Sequence, residues 1–203
     1  MSTVESAAGR PRSSSRATIE DAAAELFFEN GYQGTTIDQI SQRAGVSRAT
    51  FFNYFTAKSD VLWVELDAAI ERLAQELAAQ PTGVAPLASV REAMLRVASE
   101  IGSDRVPLAL TQDDVMGTTE ETRSSGLSRL ARRAEILEDY LARQLAGPRD
   151  DLLVLSAATA LSGAISAAWT VWARAGIGRG PLTEYIGPAF DLVARGLDGR
   201  FDR

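Results

Sequence analysis

The sequence contains neither cysteine nor histidine, and these two absences exclude several kinds of site. Without cysteine there can be no disulfide, no thiolate nucleophile and no cysteine-ligated metal. Without histidine there can be no Ser-His-Asp relay, HExxH zinc site or facial iron triad. An enzyme would have to use carboxylates, and the adjacent Asp113 and Asp114 do not share a helix face. The composition therefore predicts a protein that is not an enzyme and has no metal site or cofactor.

Basic residues are also scarce. Lys and Arg number 21 against 27 Asp and Glu, which gives a net charge of −6, and Lys58 is the only lysine. A chain with this charge is not a general binder of polyanions. Any contact with nucleic acid therefore requires a local basic surface.

One uncharged run, residues 152–173, is long enough to cross a bilayer. It is rich in Ala, Ser, Thr and Gly, so its transfer to lipid would gain little, and its flanks lack a positive-inside pattern. We interpret it as a buried helix of a soluble protein and expect no membrane partner. The N-terminus lacks a signal-peptide core, which predicts a cytoplasmic location.

The patterning is helical throughout, because no segment shows the sustained alternation of a strand. Residues 1–14 are rich in Ser, Gly and Arg and are predicted to form a disordered arm. Capping residues, apolar spacing and Gly or Pro breaks predict about nine helices in an all-α fold. Their expected bounds are 15–30, 37–44, 48–54, 57–80, 87–101, 104–116, 119–145, 148–175 and 182–197.

The segment from residue 36 to residue 55 carries the most specific pattern. Thr36 and Gln39 have the spacing of a capping box, and Ser47 can cap a second short helix. Gly45 lies between them and can turn the chain at positive φ without a Cβ clash. The second helix is left with a small, polar and basic outer face, which suits the DNA major groove. This face comprises Ser47, Arg48, Ala49, Thr50, Asn53 and Tyr54.

This run resembles the TetR (tetracycline-repressor-like) family of transcriptional regulators. The residues that carry the resemblance are Thr36, Ile40, the Ala44-Gly45-Val46-Ser47 turn, the run from Thr50 to Phe55, and Lys58. The resemblance implies a three-helix helix-turn-helix head over residues 15–56 and a helical effector-binding and dimerisation body over 57–203. Ser41, Ala49 and Phe52 depart from the family pattern, and Phe52 lacks the hydroxyl of the usual tyrosine.

Residue chemistry and the resemblance together predict the DNA contacts. Arg48 is expected to read guanine in the major groove, the alternative being a solvated arginine. By resemblance, Tyr54 and Lys58 are expected to contact phosphates; the alternatives are core packing and a solvated lysine. Phe51 and Phe55 are expected in the core. The full predicted set is Thr36, Ser47, Arg48, Ala49, Thr50, Asn53, Tyr54 and Lys58.

The predicted body supplies the candidate effector site and the dimer interface. A cluster of large side chains is expected to line a pocket for a largely apolar small molecule, although each one could instead be core. This cluster comprises Trp63, Met94, Met116, Tyr140, Trp169 and Trp172. By resemblance, the helices over 148–175 and 182–197 form the homodimer, helped by small residues at 156, 160, 163, 164, 167 and 168.

These expectations describe a bacterial, ligand-responsive regulator. A two-fold dimer presents its recognition helices about 34 Å apart, which predicts a near-palindromic operator on double-stranded DNA. By resemblance it is a repressor, and the effector shifts the fourth helix and changes the spacing of the two heads. The alternative is a helical small-molecule carrier without DNA activity, which a salt-dependent DNA titration would distinguish.

Overall fold

The computed structural model describes residues 15–81, 85–111 and 118–197. Within these ranges the protein is built of nine α-helices and two short 3-10 helices, without a strand, which confirms the all-α prediction. The predicted arm over residues 1–14 lies outside the described residues. The helices are α1 Ser15–Gly34, α2 Ile37–Arg43, α3 Arg48–Tyr54, α4 Val64–Ala78, α5 Pro86–Ser99, α6 Leu108–Thr111, α7 Thr119–Leu145, α8 Leu152–Arg174 and α9 Thr183–Leu197; the 3-10 helices are Lys58–Trp63 and Gly176–Gly178.

The chain divides into two compact units. Among the described residues, the first unit runs to Val61 and includes Thr118, and the second holds the rest from Leu62 onwards. The boundary between head and body, predicted at residues 56–57, thus falls at residues 61–62 in the structure.

The first unit is a three-helix domain in which α1, α2 and α3 pack against one another. Its core is formed by large apolar side chains from all three helices, and Ile19, Phe27, Ile40 and Phe51 are fully buried. The ring centroids of Phe51 and Phe55 are 5.4 Å apart, so both phenylalanines pack in the core as predicted. Burying one such aromatic side chain contributes roughly 1.5–3 kcal/mol, which makes this cluster the main stabilising feature of a small domain.

Gly31 interrupts α1 where the sequence predicted the helix to end. Its φ of 72° and ψ of 163° lie in a region that is essentially restricted to glycine. Helical hydrogen bonding resumes beyond it as far as Gly34. The bend brings Thr35 back against α1, where its hydroxyl donates hydrogen bonds to the carbonyls of Leu26 and Gly31 at 3.0 and 2.9 Å.

The prediction of an α-helix over residues 57–80 was wrong at its N-terminal end. Residues 58–63 form a 3-10 helix, and the α-helix begins at Val64. The carboxylate of Asp60 accepts hydrogen bonds from Thr56 N, Thr56 Oγ1 and Ala57 N, at 3.0, 2.7 and 2.9 Å. This carboxylate satisfies the free N–H groups at the start of the 3-10 helix.

The second unit is a helical bundle in which α8 packs against α6, α7 and α9, while α5 packs against α4 and α9. By length and composition α8 could cross a membrane, but 44% of its most apolar window is buried inside the unit. A core helix has this same composition. A bidentate ion pair joins α5 to α9, with Arg91 Nε 2.7 Å from Asp191 Oδ1, and another joins α7 to α4 through Arg129 and Asp67.

Two further helix starts differ from prediction. The sixth helix was expected to begin at residue 104, but α6 begins at Leu108, directly after Pro107. Residues 112–117 lie outside the described residues. Proline favours the start of a helix because it lacks the N–H that the first turn leaves unbonded. The eighth helix was expected from Pro148, yet Asp151 is its N-cap, with Oδ1 accepting from Leu153 N at 2.8 Å.

Candidate nucleic-acid interface and ligand cavity

Helix α2 is fixed by hydrogen bonds at both of its ends. At the start of α2 the capping box is complete: Gln39 N donates to Thr36 Oγ1 at 3.2 Å, and Thr36 N donates to Gln39 Oε1 at 2.7 Å. At the end of α2, Val46 N donates to Ser41 O and Gly45 N donates to Gln42 O. This paired arrangement is a Schellman motif, and it requires the positive φ of 66° that Gly45 adopts.

Helix α3 is short because both of its ends are determined locally. Ser47 is extended and its Oγ accepts from Thr50 N at 3.0 Å, which makes it the N-cap; Phe55 is extended and ends the helix. Phe51 points into the core, so the opposite side of α3 faces solvent. As predicted, the polar residues lie on that outer side: Ser47, Arg48, Ala49, Asn53 and Tyr54 are exposed, and Thr50 is half-buried.

Arg48 lies at the start of this exposed face. Its Nη1 donates to Asp38 Oδ1 at 2.7 Å, and its guanidinium lies 5.5 Å from the ring centroid of Phe52. Both partners of the ion pair are mostly exposed, at 59% and 69% of their side chains. Such exposed pairs contribute about 0–1 kcal/mol, less than the roughly 1–3 kcal/mol of a bidentate contact with guanine. The ion pair therefore holds Arg48 near the outer face only weakly.

Arg43, at the end of α2, is held more firmly. Its guanidinium bonds the carboxylates of Glu29 and Glu25 on α1, at 2.8 and 3.0 Å. The hydrogen bond to Glu29 is the largest cause of the raised pKa of Arg43, and the same bond lowers the pKa of Glu29. The sequence from residue 39 to residue 59 contains three basic residues and no acid. In the structure two of these basic residues, Arg43 and Arg48, pair with acidic residues from outside this segment. The spacing of residues in the sequence did not reveal these pairs.

Lys58 is the third of these basic residues, and its partners are backbone carbonyls. Nζ donates to Tyr32 O at 2.6 Å and to Thr35 O at 2.7 Å, and it lies 4.0 Å from the ring centroid of Tyr32. These contacts fasten the 3-10 helix to the chain that links α1 and α2. In this arrangement Lys58 is a positioning residue for the helix-turn-helix, while phosphate contact remains an expectation from the resemblance.

The second unit contains a series of adjoining cavities. An inner cavity of about 30 Å³, a middle cavity of about 220 Å³ and an outer cavity of about 280 Å³ lie next to one another. Leu66, Arg133 and Trp169 belong to the walls of both the inner and the middle cavity. The inner wall is otherwise apolar, with side chains from α4, α5, α8 and α9. This is the composition of a site for a molecule with an apolar body.

In the structure only some members of the predicted pocket cluster line a cavity. Trp63, Met94 and Trp169 line these cavities. Tyr140 and Trp172 are fully buried and are not among the residues that line the three cavities. Trp172 instead packs edge-on against Trp169 and donates from Nε1 to Gly180 O at 2.9 Å. Met116, the sixth member, lies outside the described residues.

Sequence reasoning missed Arg133, which lies on α7 and is 3% exposed. Its Nε donates to Ser162 Oγ at 3.2 Å, and Nη2 donates to Ser162 O at 2.9 Å and to Ser166 Oγ. Burial lowers the pKa of Arg133 to about 10, so the group stays protonated at neutral pH. The four-residue spacing of Ser162 and Ser166 on one face of α8 was the available signal.

Two capped helices joined by a glycine turn, with a polar outer face on the second, define a helix-turn-helix DNA-binding protein. Comparison with known families places the protein within this class. Residues 19–62 match the family model of bacterial regulatory proteins of the tetR family, and residues 84–198 match that of the MftR C-terminal domain. The chain belongs to the TetR family, as the resemblance implied, and its relatives are transcriptional regulators rather than enzymes.

The alignments with individual relatives cover nearly the whole chain. The Mycobacterium tuberculosis regulator named for mycofactocin biosynthesis, MftR, is 27% identical over 194 residues, which are 96% of each protein. The Thermus thermophilus repressor FadR, solved with lauroyl-CoA, is 26% identical, with a TM-score of 0.55 over 90% of this chain and 94% of that one. NalD of Pseudomonas aeruginosa, at 21% identity and a TM-score of 0.56 over 90% of this chain and 96% of that one, supports the fold alone.

Proposed function

We propose that this regulator is a cytoplasmic repressor that binds a near-palindromic operator as a homodimer and is released by a small-molecule effector. The observation that carries the DNA-binding part is the outer face of α3. Its polar residues are exposed together along a short helix whose position is fixed by the Ser47 cap and the Gly45 turn.

In this proposal Arg48 exchanges its exposed carboxylate partner for a guanine, and Ala49, Thr50 and Asn53 face the neighbouring bases. Thr36, Ser47 and Tyr54 are near the phosphates, and half or more of protein–DNA hydrogen bonds go to phosphate and sugar. Lys58 contributes by holding the chain between α1 and α2. A direct contact of Lys58 with phosphate is tested separately by the salt dependence of binding.

Homodimer formation is proposed through α8 and α9, which carry exposed apolar side chains on their outer faces. Val171 is 59% exposed and Leu192 is 71% exposed. A Cβ added at Gly163 would meet nothing within 4 Å in the protomer, so this part of α8 is open for close approach by a second helix. Of the six small residues predicted for the interface, those at 156, 160 and 167 are exposed and those at 163 and 164 are half-buried. Ala168 is buried inside the unit and is removed from the proposed set.

The effector is proposed to bind in the cavities of the second unit. Their apolar walls favour a largely apolar molecule, and a structural relative in the same family was solved with an acyl-CoA. A ligand releases DNA only when it binds more tightly to the form with low DNA affinity. Typical coupling energies of about 1–3 kcal/mol correspond to a roughly 5- to 150-fold loss of DNA affinity.

Footprinting on DNA upstream of the protein's own gene and its neighbours tests this function. The expected result is protection of an inverted repeat whose half-site centres are about one helical turn apart. Binding should weaken steeply with salt, because each phosphate contact lowers the slope of log K against log salt by about 0.9. Protection of single half-sites by a monomer, or failure to bind any duplex at low salt, would contradict the proposal.

A further inference from the structure

We propose that the effector is an apolar carboxylic acid whose carboxylate is buried against Arg133 at the junction of α7 and α8. This inference rests on the proposed effector-binding role of the second unit. It goes further by assigning the charge of the ligand and the residue that recognises it.

The first observation is the charge of the cavity walls. In a chain with six more acidic than basic residues, no acidic residue of the described ranges lines any of the three cavities. Four arginines line them: Arg123, Arg129, Arg133 and Arg174. Arg129 is neutralised by Asp67, with its Nη2 2.6 Å from Oδ2, whereas Arg133 has no carboxylate partner among the described residues.

The second observation is how Arg133 is held. Its three hydrogen bonds to described residues use Nε and Nη2, and they go to two hydroxyls and a carbonyl. The hydroxyl protons are directed elsewhere, since Ser162 Oγ donates to Leu130 O at 2.8 Å and Ser166 Oγ donates to Ser162 O at 3.0 Å. The serines therefore orient the guanidinium as neutral acceptors but supply no negative charge.

The third observation is what remains available on Arg133. Nη1 makes no hydrogen bond to a described residue, and Arg133 belongs to the walls of the inner and middle cavities. An almost fully buried cation without a counter-ion is unfavourable, because burial removes the hydration that water would provide. An anion that enters the cavity restores the missing charge and uses the Nη1 protons. This is a strong, charge-assisted interaction that an uncharged ligand cannot make.

The apolar surroundings determine the rest of the ligand. The middle cavity, which Arg133 lines and which has a volume of about 220 Å³, offers the room for the body of the ligand, and it adjoins the apolar inner cavity of about 30 Å³. The apolar wall of the middle cavity includes Trp63, Leu66, Leu110, Leu130 and Trp169. A carboxylate is planar like the guanidinium, and pairs of these two groups form short, charge-assisted hydrogen bonds. An aliphatic or aromatic body then removes apolar surface from water against these side chains, at roughly 25 cal/mol per Å².

Titration calorimetry with decanoate and with uncharged decan-1-ol tests the proposal on the intact protein. We expect wild type to prefer decanoate by at least about tenfold, since one charge-assisted bond distinguishes the two ligands. This preference should persist in 0.5 M salt, because a buried pair is little screened whereas capture by the exposed Arg123 or Arg174 would weaken. In Arg133→Gln the preference should disappear, because decanoate loses its charge-assisted bond and binds no more tightly than decan-1-ol. The matched control is Arg132→Gln. It removes an exposed arginine that lies next to Arg133 on α7 and pairs with Glu71 of α4, and it should change the affinity for neither decanoate nor decan-1-ol.

Equal affinities of wild type for the two ligands, or no binding of either, would overturn the proposal without any variant. So would a preference for decanoate that survives in Arg133→Gln. The DNA titration is read separately. If decanoate binds with the expected preference but never weakens DNA binding, the proposed release function fails and the assignment of Arg133 stands. If DNA responds to other ligands but decanoate is not preferred, the assignment fails and the function stands.

Discussion

Replacing Lys58 with methionine tests whether this residue holds the helix-turn-helix together from inside. Methionine keeps most of the apolar stem but removes the two hydrogen bonds to Tyr32 O and Thr35 O and the contact with the Tyr32 ring. Because Lys58 is half-buried, we assign about 1 kcal/mol to each bond, below the usual range for charged donors. The ring contact adds about 0.5–1 kcal/mol, so the expected loss is about 2.5–3 kcal/mol in the first unit.

Hydrogen exchange of peptides covering residues 19–35, together with urea denaturation, measures this loss. The matched control is Arg48→Met, which also removes a cation from the first unit but breaks only surface contacts, an exposed ion pair with Asp38 and a contact with the exposed Phe52 ring. This control should change stability by less than about 1 kcal/mol. The reasoning would be refuted if Lys58→Met showed the same hydrogen-exchange protection and the same urea midpoint as Arg48→Met.

The same Lys58 variant distinguishes internal positioning from phosphate contact when DNA binding is measured over a range of salt. We expect an unchanged slope, because two carbonyls already bind the ammonium in the free protein. A slope shallower by about 0.9 would instead identify a direct phosphate contact.

Three further variants test other parts of the molecule. Arg48→Ala should cost about 1–3 kcal/mol on the preferred operator and relax the preference at one base pair, as measured by binding to a panel of single-base operator variants; an equal loss on every sequence would contradict base reading. Gly45→Ala should destabilise the protein by about 1–2 kcal/mol through its positive φ alone, since an added Cβ meets no atom there, and Gly178→Ala, also in open space but without a positive φ, is the control in thermal unfolding. Gly163→Leu should shift the protein towards monomer in light scattering without destabilising the protomer, whereas Ala131→Leu on the exposed side of α7 should leave the dimer intact; an unchanged mass would exclude this part of α8 from the interface.

The first unit could be predicted from sequence nearly residue by residue because its signals are local. The capping box of Thr36 and Gln39, the Gly45 turn and the Ser47 cap each involve residues within a few positions of one another. The predicted bounds of α3, residues 48–54, agree with the structure. Local hydrogen bonds of this kind are readable from sequence because the partners are fixed by chain geometry.

The candidate sites could be predicted less completely because their partners are distant in the chain. The spacing of Leu130 and Leu137 places Arg133 on the apolar face of α7, but the serines that it bonds lie about 30 residues further on, and no local pattern identifies them as its partners. Lys58 bonds carbonyls more than 20 residues before it. The first residue of a helix is also mispredicted when a better N-cap lies nearby. Asp151, three residues after Pro148, is the N-cap of α8.

Residues 124–126 of α7 illustrate why a local pattern and a fold can disagree. A Ser-Ser-Gly sequence weakens a helix, because serine and especially glycine have low helix propensity. The structure keeps α7 continuous because Trp63 packs against this segment: its Nε1 is 2.8 Å from Ser125 Oγ, and a Cβ at Gly126 would lie 3.3 Å from its ring. On α7 the guanidinium of Arg129 lies 5.3 Å from the ring centroid of Trp63. The small residues cost helix propensity but make room for the indole that lines the middle cavity, so the sequence feature that resembles a helix break helps to shape the ligand site.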